Sequence, residues 1–180
     1  MAIRILPEGD KYNAEVTPPD GQWRSPHPMS VEELAAALRE IGCDHGAASD
    51  AFQKAILQTY RSLAEEFLPQ VQGALKGERD VPRQDPSAEA WVAYALYEMN
   101  ARITIQMLIE DVDSLNHAIP TPDEVSWALL QLRNRGWLLA EADTYALTVE
   151  GREAVEKIAR GEDIWKRKMR LEDWMASHQV

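Results

Sequence analysis

The chain has 180 residues, of which 45% are hydrophobic and 27% charged, the composition of an ordinary globular protein. A net charge of −11, from 19 basic and 30 acidic residues, repels phosphate backbones and favours basic partners. A single cysteine excludes an internal disulfide, and no apolar run reaches the eighteen or so residues of a membrane span. Since no signal peptide is predicted either, we expect a cytoplasmic protein of one domain, or of one domain with a helical extension.

A β-hairpin is predicted at the start of the chain. Residues 2–7 (AIRILP) and 12–17 (YNAEVT) alternate apolar and polar side chains on either side of a Gly-Asp turn signal. The next segment (PPDGQWRSPHPM) contains four prolines, which cannot donate to a strand ladder. We therefore expect irregular structure there, anchored by Trp23.

Two helices are predicted next. Ser30 and Glu33 have the spacing of a capping box, which predicts a helix that begins there. A longer helical pattern covers residues 49–76, and Pro69 is expected to kink or divide that helix. Residues 76–87 (KGERDVPRQDPS) are charged and contain two prolines, which is typical of a long loop or a domain boundary.

Asp85, followed by a proline, is a typical helix start. The apolar pattern continues from there to about residue 116, as one helix or as two that break near Asn100. Thr121 caps a further helix, which Gly136 ends. The remaining predicted elements are strands at about 137–141 and 144–148, a helix at about 149–160, and an amphipathic helix within residues 162–176 (EDIWKRKMRLEDWMA).

Residues 103–158 resemble a winged-helix domain, and the segment PDEVSWALLQLRNRGWLLAEADTYALTVEGREAV carries the resemblance. The resemblance implies a helix, a short strand, a second helix and a two-stranded wing, and most such domains bind DNA. It is specific for the fold rather than for a function. We therefore expect an α+β, mostly helical protein with an N-terminal β-hairpin and helical region (1–80), a winged-helix-like domain with a two-stranded wing (86–160), and a C-terminal amphipathic helix (161–180).

The usual DNA contacts are not expected in this segment. Only one helix fits between residues 121 and 136, so the expected helix pair is merged or one helix is missing. Asp123 and Glu124 place carboxylates where a phosphate would dock. Trp127 and Leu130 stand opposite the core stripe, in place of the Arg, Lys, Asn and Gln that read DNA. We therefore predict a protein-binding surface at Trp127 and Leu130, and we do not expect nucleic acid as a partner.

A second candidate surface lies on the C-terminal helix. The basic cluster KRKMR (166–170) is flanked by Trp165 and Trp174, a combination that suits a membrane surface or nucleic acid. The alternative is a helix that docks on its own body or on a second subunit. The rival functional hypothesis, a DNA-binding transcription regulator, needs this cluster together with Arg133 and Arg135.

One further group is considered as a metal site. Glu110, Asp113 and His117 would share one face of a continuous helix, where two carboxylates and an imidazole could bind a divalent ion. The alternative is an exposed acidic face whose histidine interacts with the last helix carbonyls, and we expect no metal. Asn116 and His117 form either a structural corner, since Asn tolerates left-handed backbone angles, or part of a binding site.

No sequence motif predicts an enzyme. Cys43 precedes Asp44 and His45, but adjacent side chains rarely act on each other, so Cys43 is interpreted as a small buried hydrophobic residue. The chain contains no GxSxG, P-loop or GxGxxG. The leading hypothesis is a non-enzymatic cytosolic protein–protein interaction module without a cofactor, which self-associates or binds a basic partner.

Overall fold

The computed structural model describes residues 2–8, 11–17, 22–116, 119–161 and 163–179, and within them the chain is α+β and mostly helical, as predicted. In chain order the elements are β1 (Ala2–Glu8), β2 (Lys11–Thr17), β3 (Trp23–Arg24), α1 (Val31–Glu40), α2 (His45–Lys76), α3 (Pro86–Met99), β4 (Ile103–Thr104), α4 (Ile105–Asn116), α5 (Pro122–Asn134), β5 (Leu138–Glu141), β6 (Thr144–Leu147), α6 (Val149–Ile158) and α7 (Ile164–Ser177).

The chain divides into two compact units, Met1–Ser62 and Leu63–Val180. The division falls inside α2, earlier than the boundary expected near residue 80. Pro69 does not divide this helix, although the prediction allowed it. The proline is exposed, so the carbonyl that loses its helical partner can turn to water instead.

The first unit contains the predicted hairpin, in which β1 and β2 pair antiparallel with Ala2 opposite Thr17. The prolines do not prevent a third strand, because β3 lies between them and pairs with β2. Trp23 is partly buried against the core, in agreement with its predicted anchoring role. The capping box of α1 is confirmed, since the Ser30 side chain accepts from the Glu33 backbone while the Glu33 carboxylate accepts from the Ser30 backbone.

Cys43 belongs to the core of the first unit and is 8% exposed. Burial raises the pKa of its thiol, which keeps the sulfur protonated and weakly nucleophilic. The interpretation of Cys43 as a small hydrophobic residue is therefore confirmed.

Helix α3 occupies the centre of the second unit and packs against α4, α5, α6, α7 and β6. Alanines at positions 88, 90, 93 and 95 are buried, and these small side chains let neighbouring helices approach on several sides. The helix ends at Asn100, whose φ of 48° is left-handed, so the pattern is two helices rather than one.

The second sheet has the strand order β4–β6–β5. β5 and β6 form an antiparallel hairpin whose two-residue turn, Ala142 and Asp143, places Ala142 at a φ of 54°. Two separate helices, α4 and α5, precede this hairpin. Between Thr121 and Gly136 the chain forms the one helix that was expected there, α5, and α4 ends before it at Asn116.

Candidate functional site

Trp127, one of the two residues of the docking surface predicted on α5, lies mostly inside the second unit. Only 7% of this residue is exposed, and Leu130 is half-buried. One side of α5 packs on α3. The tryptophan therefore packs within the second unit, where it lines a cleft of about 250 Å³ together with Leu130, Val81 and Arg83.

Residues 72–83 contact α5 and the β5–β6 hairpin, and we call them the covering segment. The Arg79 guanidinium pairs with the Asp123 carboxylate and donates to the buried Ser126 hydroxyl over 3.4 Å. Gln72 donates to the Ala142 carbonyl at the hairpin turn over 3.2 Å. The first turn of α5 is thus held by the chain's own cation.

The two arginines that a DNA contact would need are both engaged within the protein. The Arg133 guanidinium donates to the Leu75 carbonyl of α2. The Arg135 Nε lies 2.5 Å from the Glu89 Oε1, and the two side chains are only 7% and 2% exposed. Burial raises the pKa of the Glu89 carboxyl, while the hydrogen bond and charge of Arg135 act in the opposite direction. A pair buried this deeply is not available to a phosphate.

An aromatic stack continues from this ion pair towards the C-terminal helix. The Arg135 guanidinium lies 5.6 Å from the Trp137 ring centre and 5.3 Å from that of Trp174. The two indoles stack at 5.4 Å, and the His178 ring stacks on Trp174 at 4.3 Å. Trp174, predicted as a binding residue, is therefore half-buried and fixes α7 to the strand that begins after Gly136.

Lys168 is the most deeply buried cation of the predicted basic cluster, at 3% exposure. Its Nζ lies 4.9 Å from the Trp91 ring centre and 4.8 Å from that of Trp165, and it donates to the Leu115 carbonyl over 3.3 Å. Desolvation lowers the pKa of this amine, and the nearby Glu172 carboxylate opposes that shift. The cation therefore joins α7 to the end of α4 instead of pointing towards a ligand.

The opposite side of α7 is exposed, and we call it the outer face. Trp165 and Met169 are 57% and 59% exposed, although Leu171 and Met175 on the inner side are fully buried. The other exposed residues of the outer face are Lys166, Arg170, Asp173, Ala176 and Ser177. Of the six residues predicted to bind, only Trp165 presents an exposed aromatic surface in the described structure.

The predicted binding residues Asn116 and His117 are neighbours in the sequence. Asn116 is the last residue of α4, while His117 lies outside the described residues. Glu110 accepts a hydrogen bond of 2.8 Å from the Gln106 amide on its own helix. In the described part of the chain, no three His, Cys, Asp or Glu side chains lie together as metal ligands would. No helix in the same ranges is long and apolar enough to span a membrane.

Two open clefts flank these elements. One, of about 530 Å³, lies between α6 and α7 and is lined by Ala154, Lys157, Ile158, Arg170 and Trp174. Another, of about 430 Å³, lies where the covering segment meets the β5–β6 hairpin, and Tyr145 is among its lining residues. Burial, and to a smaller extent Asp143, raises the pKa of Tyr145 to about 12, so its hydroxyl stays protonated. Neither cleft combines a nucleophile with a base in the way that covalent catalysis needs.

Sequence reasoning missed the residues that hold α7 in place, namely Glu89, Trp91, Arg135, Trp137 and Lys168. One signal was present, since two of the chain's six tryptophans lie in α7 and a third follows Gly136. Buried tryptophans commonly pair with cations and with one another. Comparisons with protein-family models, with curated proteins and with solved structures find no match to this chain.

Proposed function

We propose that the protein is a non-enzymatic protein-interaction module and that the outer face of α7 is its docking surface. The observation that carries the proposal is the exposure of Trp165 and Met169, at 57% and 59%, on a helix whose inner side is fully buried. Large apolar side chains that lie side by side on a surface are typical of protein contacts, and Trp and Met are enriched there.

The rigidity of α7 supports this choice of surface. Trp174 stacks on Trp137 and the Lys168 ammonium lies over the Trp91 ring, so α7 presents its outer face from a fixed position. A preorganised surface loses little conformational entropy when a partner binds. The α5 helix offers no comparably exposed apolar pair, because Trp127 is 7% exposed and Leu130 is half-buried.

Residues 86–160 are further proposed to form a winged-helix-like domain. Three features support this proposal: α4 and α5 directly precede the β5–β6 hairpin, β4 adds a third strand beside β6, and α6 follows the hairpin. In DNA-binding relatives of this architecture the helix in the position of α5 would enter the major groove. Here the covering segment occupies part of that helix, which favours a protein-binding use of the same architecture.

The second candidate function, a DNA-binding regulator, has less support. It needs a basic face from Arg133, Arg135 and residues 166–170. Arg133 donates to a backbone carbonyl, while Arg135 and Lys168 are buried. The remaining exposed cations lie in a chain whose net charge is −11, which repels a duplex at long range.

The test is capture of partners by wild-type protein and by two matched variants. Trp165→Ser with Met169→Ser removes the apolar part of the outer face, whereas Val149→Ser changes an apolar residue that is 70% exposed elsewhere in the same unit. Chemical crosslinking followed by mass spectrometry identifies the molecules that the wild type and each variant contact, including other copies of the same protein. We expect the contacts to be lost with the α7 variant and kept with Val149→Ser. An unchanged set of contacts in the α7 variant would refute the docking surface.

A further inference from the structure

We infer that the occupant of the outer face is a second copy of this chain, with its α7 antiparallel to the first. This inference rests on the proposed docking function and names its partner. The order of charges and of side-chain sizes along α7 supports this pairing.

The charges of Lys166 and Asp173 on the outer face are complementary to themselves only in the antiparallel direction, while Arg170, beside the axis, donates to the Arg160 carbonyl of its own chain. Lys166 and Asp173 are both exposed and are seven residues, or two helical turns, apart on one line. A twofold axis that passes between residues 169 and 170 places Lys166 of each copy opposite Asp173 of the other. Lys166 already contacts Asp163 over 3.4 Å within its own helix, so a partner carboxylate would share an ammonium that is held in place. A parallel pair would instead set Lys166 against Lys166.

The order of side-chain sizes along α7 also favours the antiparallel direction. The bulky Trp165 lies in the first half of the outer face, and the small Ala176 and Ser177 lie in the second half. In the antiparallel register Ala176 of one copy lies only about 3 Å along the helix axis from the level of Trp165 of the other, so the indole can lie over this small side chain. Met169 of each copy lies beside the twofold axis, where its flexible side chain can fit against its equivalent.

The expected dimer is weak. Helix α7 has 14 residues. At a rise of about 1.5 Å per residue it is about 21 Å long. A pair of such helices gives an interface at the lower end of the range for specific complexes. Association is therefore expected to depend on concentration, and sedimentation velocity should cover roughly 10 to 500 µM protein, the range of transient complexes.

A charge exchange tests the register. Lys166→Asp alone and Asp173→Lys alone each produce two repulsive pairs in an antiparallel dimer, so each variant should dimerise roughly tenfold or more weakly than wild type. Both substitutions suit the helix dipole, because an acid is favourable near the start and a base near the end, so a loss of association would not reflect a weakened helix. An equimolar mixture of the two variants restores two attractive pairs and should dimerise about as well as wild type. A mixture that stays as monomeric as its components would overturn the inference.

Cysteine crosslinking distinguishes the two directions in a Cys43→Ala background. Met169→Cys lies at the twofold axis and should form a disulfide-linked dimer under mild oxidation. Ser177→Cys lies about 11 Å along the helix from that axis, so its two thiols would be about 22 Å apart in the antiparallel pair but adjacent in a parallel one. Crosslinking of Ser177→Cys but not of Met169→Cys would overturn the proposed direction.

The two proposals fail separately. If the wild type stays monomeric at about 500 µM while other proteins are still captured through Trp165 and Met169, the second copy is refuted and the docking surface stands. If the wild type dimerises but Trp165→Ser with Met169→Ser does not weaken the dimer, the copies meet elsewhere and both proposals fall.

Discussion

Glu89 and Arg135 form a two-point ion pair inside the second unit. The Arg135 Nε and Nη2 atoms lie 2.5 Å and 3.2 Å from the two carboxylate oxygens of Glu89. Both side chains are almost completely shielded from water. The pair joins the start of α3 to the residue that ends α5 and also supports the Trp137–Trp174 stack. Substitution of one or both residues measures how much the ion pair contributes to the free energy of unfolding.

Removing one partner of this pair should destabilise the protein more than removing both. Arg135→Met leaves the Glu89 carboxylate buried without its counter-ion and should lower the free energy of unfolding by about 3–5 kcal/mol, as for other broken buried pairs. The double variant Glu89→Met with Arg135→Met should recover most of that loss, because no uncompensated charge remains. Urea unfolding followed by circular dichroism measures both, and equal losses in the single and double variants would contradict the expectation.

Asp111 should make stability depend on pH. Burial, assisted by the nearby Glu98, raises the pKa of the Asp111 carboxyl in the folded protein. The folded state therefore favours the protonated acid, so the contribution of Asp111 to stability is fully present below its unfolded pKa of about 3.9 and is lost as pH rises through the folded value. Asp111→Asn should raise the melting temperature at pH 7, and the gain should shrink as the pH falls towards about 4. The exposed Asp80→Asn is the control, and a gain independent of pH would contradict this account.

The covering segment should loosen when Arg79 is replaced. Arg79→Ala removes both the ion pair to Asp123 and the hydrogen bond to Ser126, at a cost of roughly 0.5–2 kcal/mol. Hydrogen–deuterium exchange should then rise in α5 and in residues 72–83 while the first unit stays unchanged. Glu78→Ala, an exposed position in the same segment, serves as the matched variant. Equal protection of α5 in Arg79→Ala and wild type would show that other contacts hold the segment.

Gly151→Ala should destabilise the protein, although alanine normally favours a helix over glycine by about 1 kcal/mol. A Cβ at position 151 would lie 2.7 Å from the Trp137 Cβ and 2.9 Å from the Trp137 carbonyl oxygen. Since α6 must then move away from the strand, we expect a net loss of roughly 1–3 kcal/mol. Glu156→Ala, at an exposed position of the same helix, should be close to neutral. A stabilised Gly151→Ala protein would mean that α6 is not tightly packed there.

Binding to random DNA should be undetectable. Fluorescence anisotropy of a labelled duplex at about 50 mM and 200 mM salt covers the range in which phosphate contacts show themselves. Because Arg133, Arg135 and Lys168 are engaged within the protein, we expect no binding even at the lower salt. Micromolar affinity that collapses at the higher salt would instead support the regulator hypothesis.

Local signals in the sequence predicted most of the helix starts. Ser30 and Thr121 each cap a helix as predicted, and Asp85 does so in front of its proline. Such caps are local, because the cap and the backbone it satisfies are at most three residues apart. The position of Asn100 as the break between α3 and α4 was left open, since periodicity gives no sharp signal where one buried helix follows another.

The candidate site was harder to predict because its geometry depends on distant segments. The periodicity of α5 identified the face of Trp127, but the residues that contact that side of the helix come from a loop with no pattern of its own. Lys168 was counted as surface charge, whereas two tryptophan rings and a carbonyl compensate its burial. In both cases long-range packing overrides the local pattern.

The position of α7 against α3 also bears on how the chain folds during synthesis. Leu171 and Met175 complete the packing of the second unit, yet they are made about eighty residues after the alanine-rich helix on which α7 packs. The first unit lies within Met1–Ser62, so all of its residues are made before those of the second unit. The second unit has to wait for α7, and until then the side of α3 on which α7 packs stays exposed.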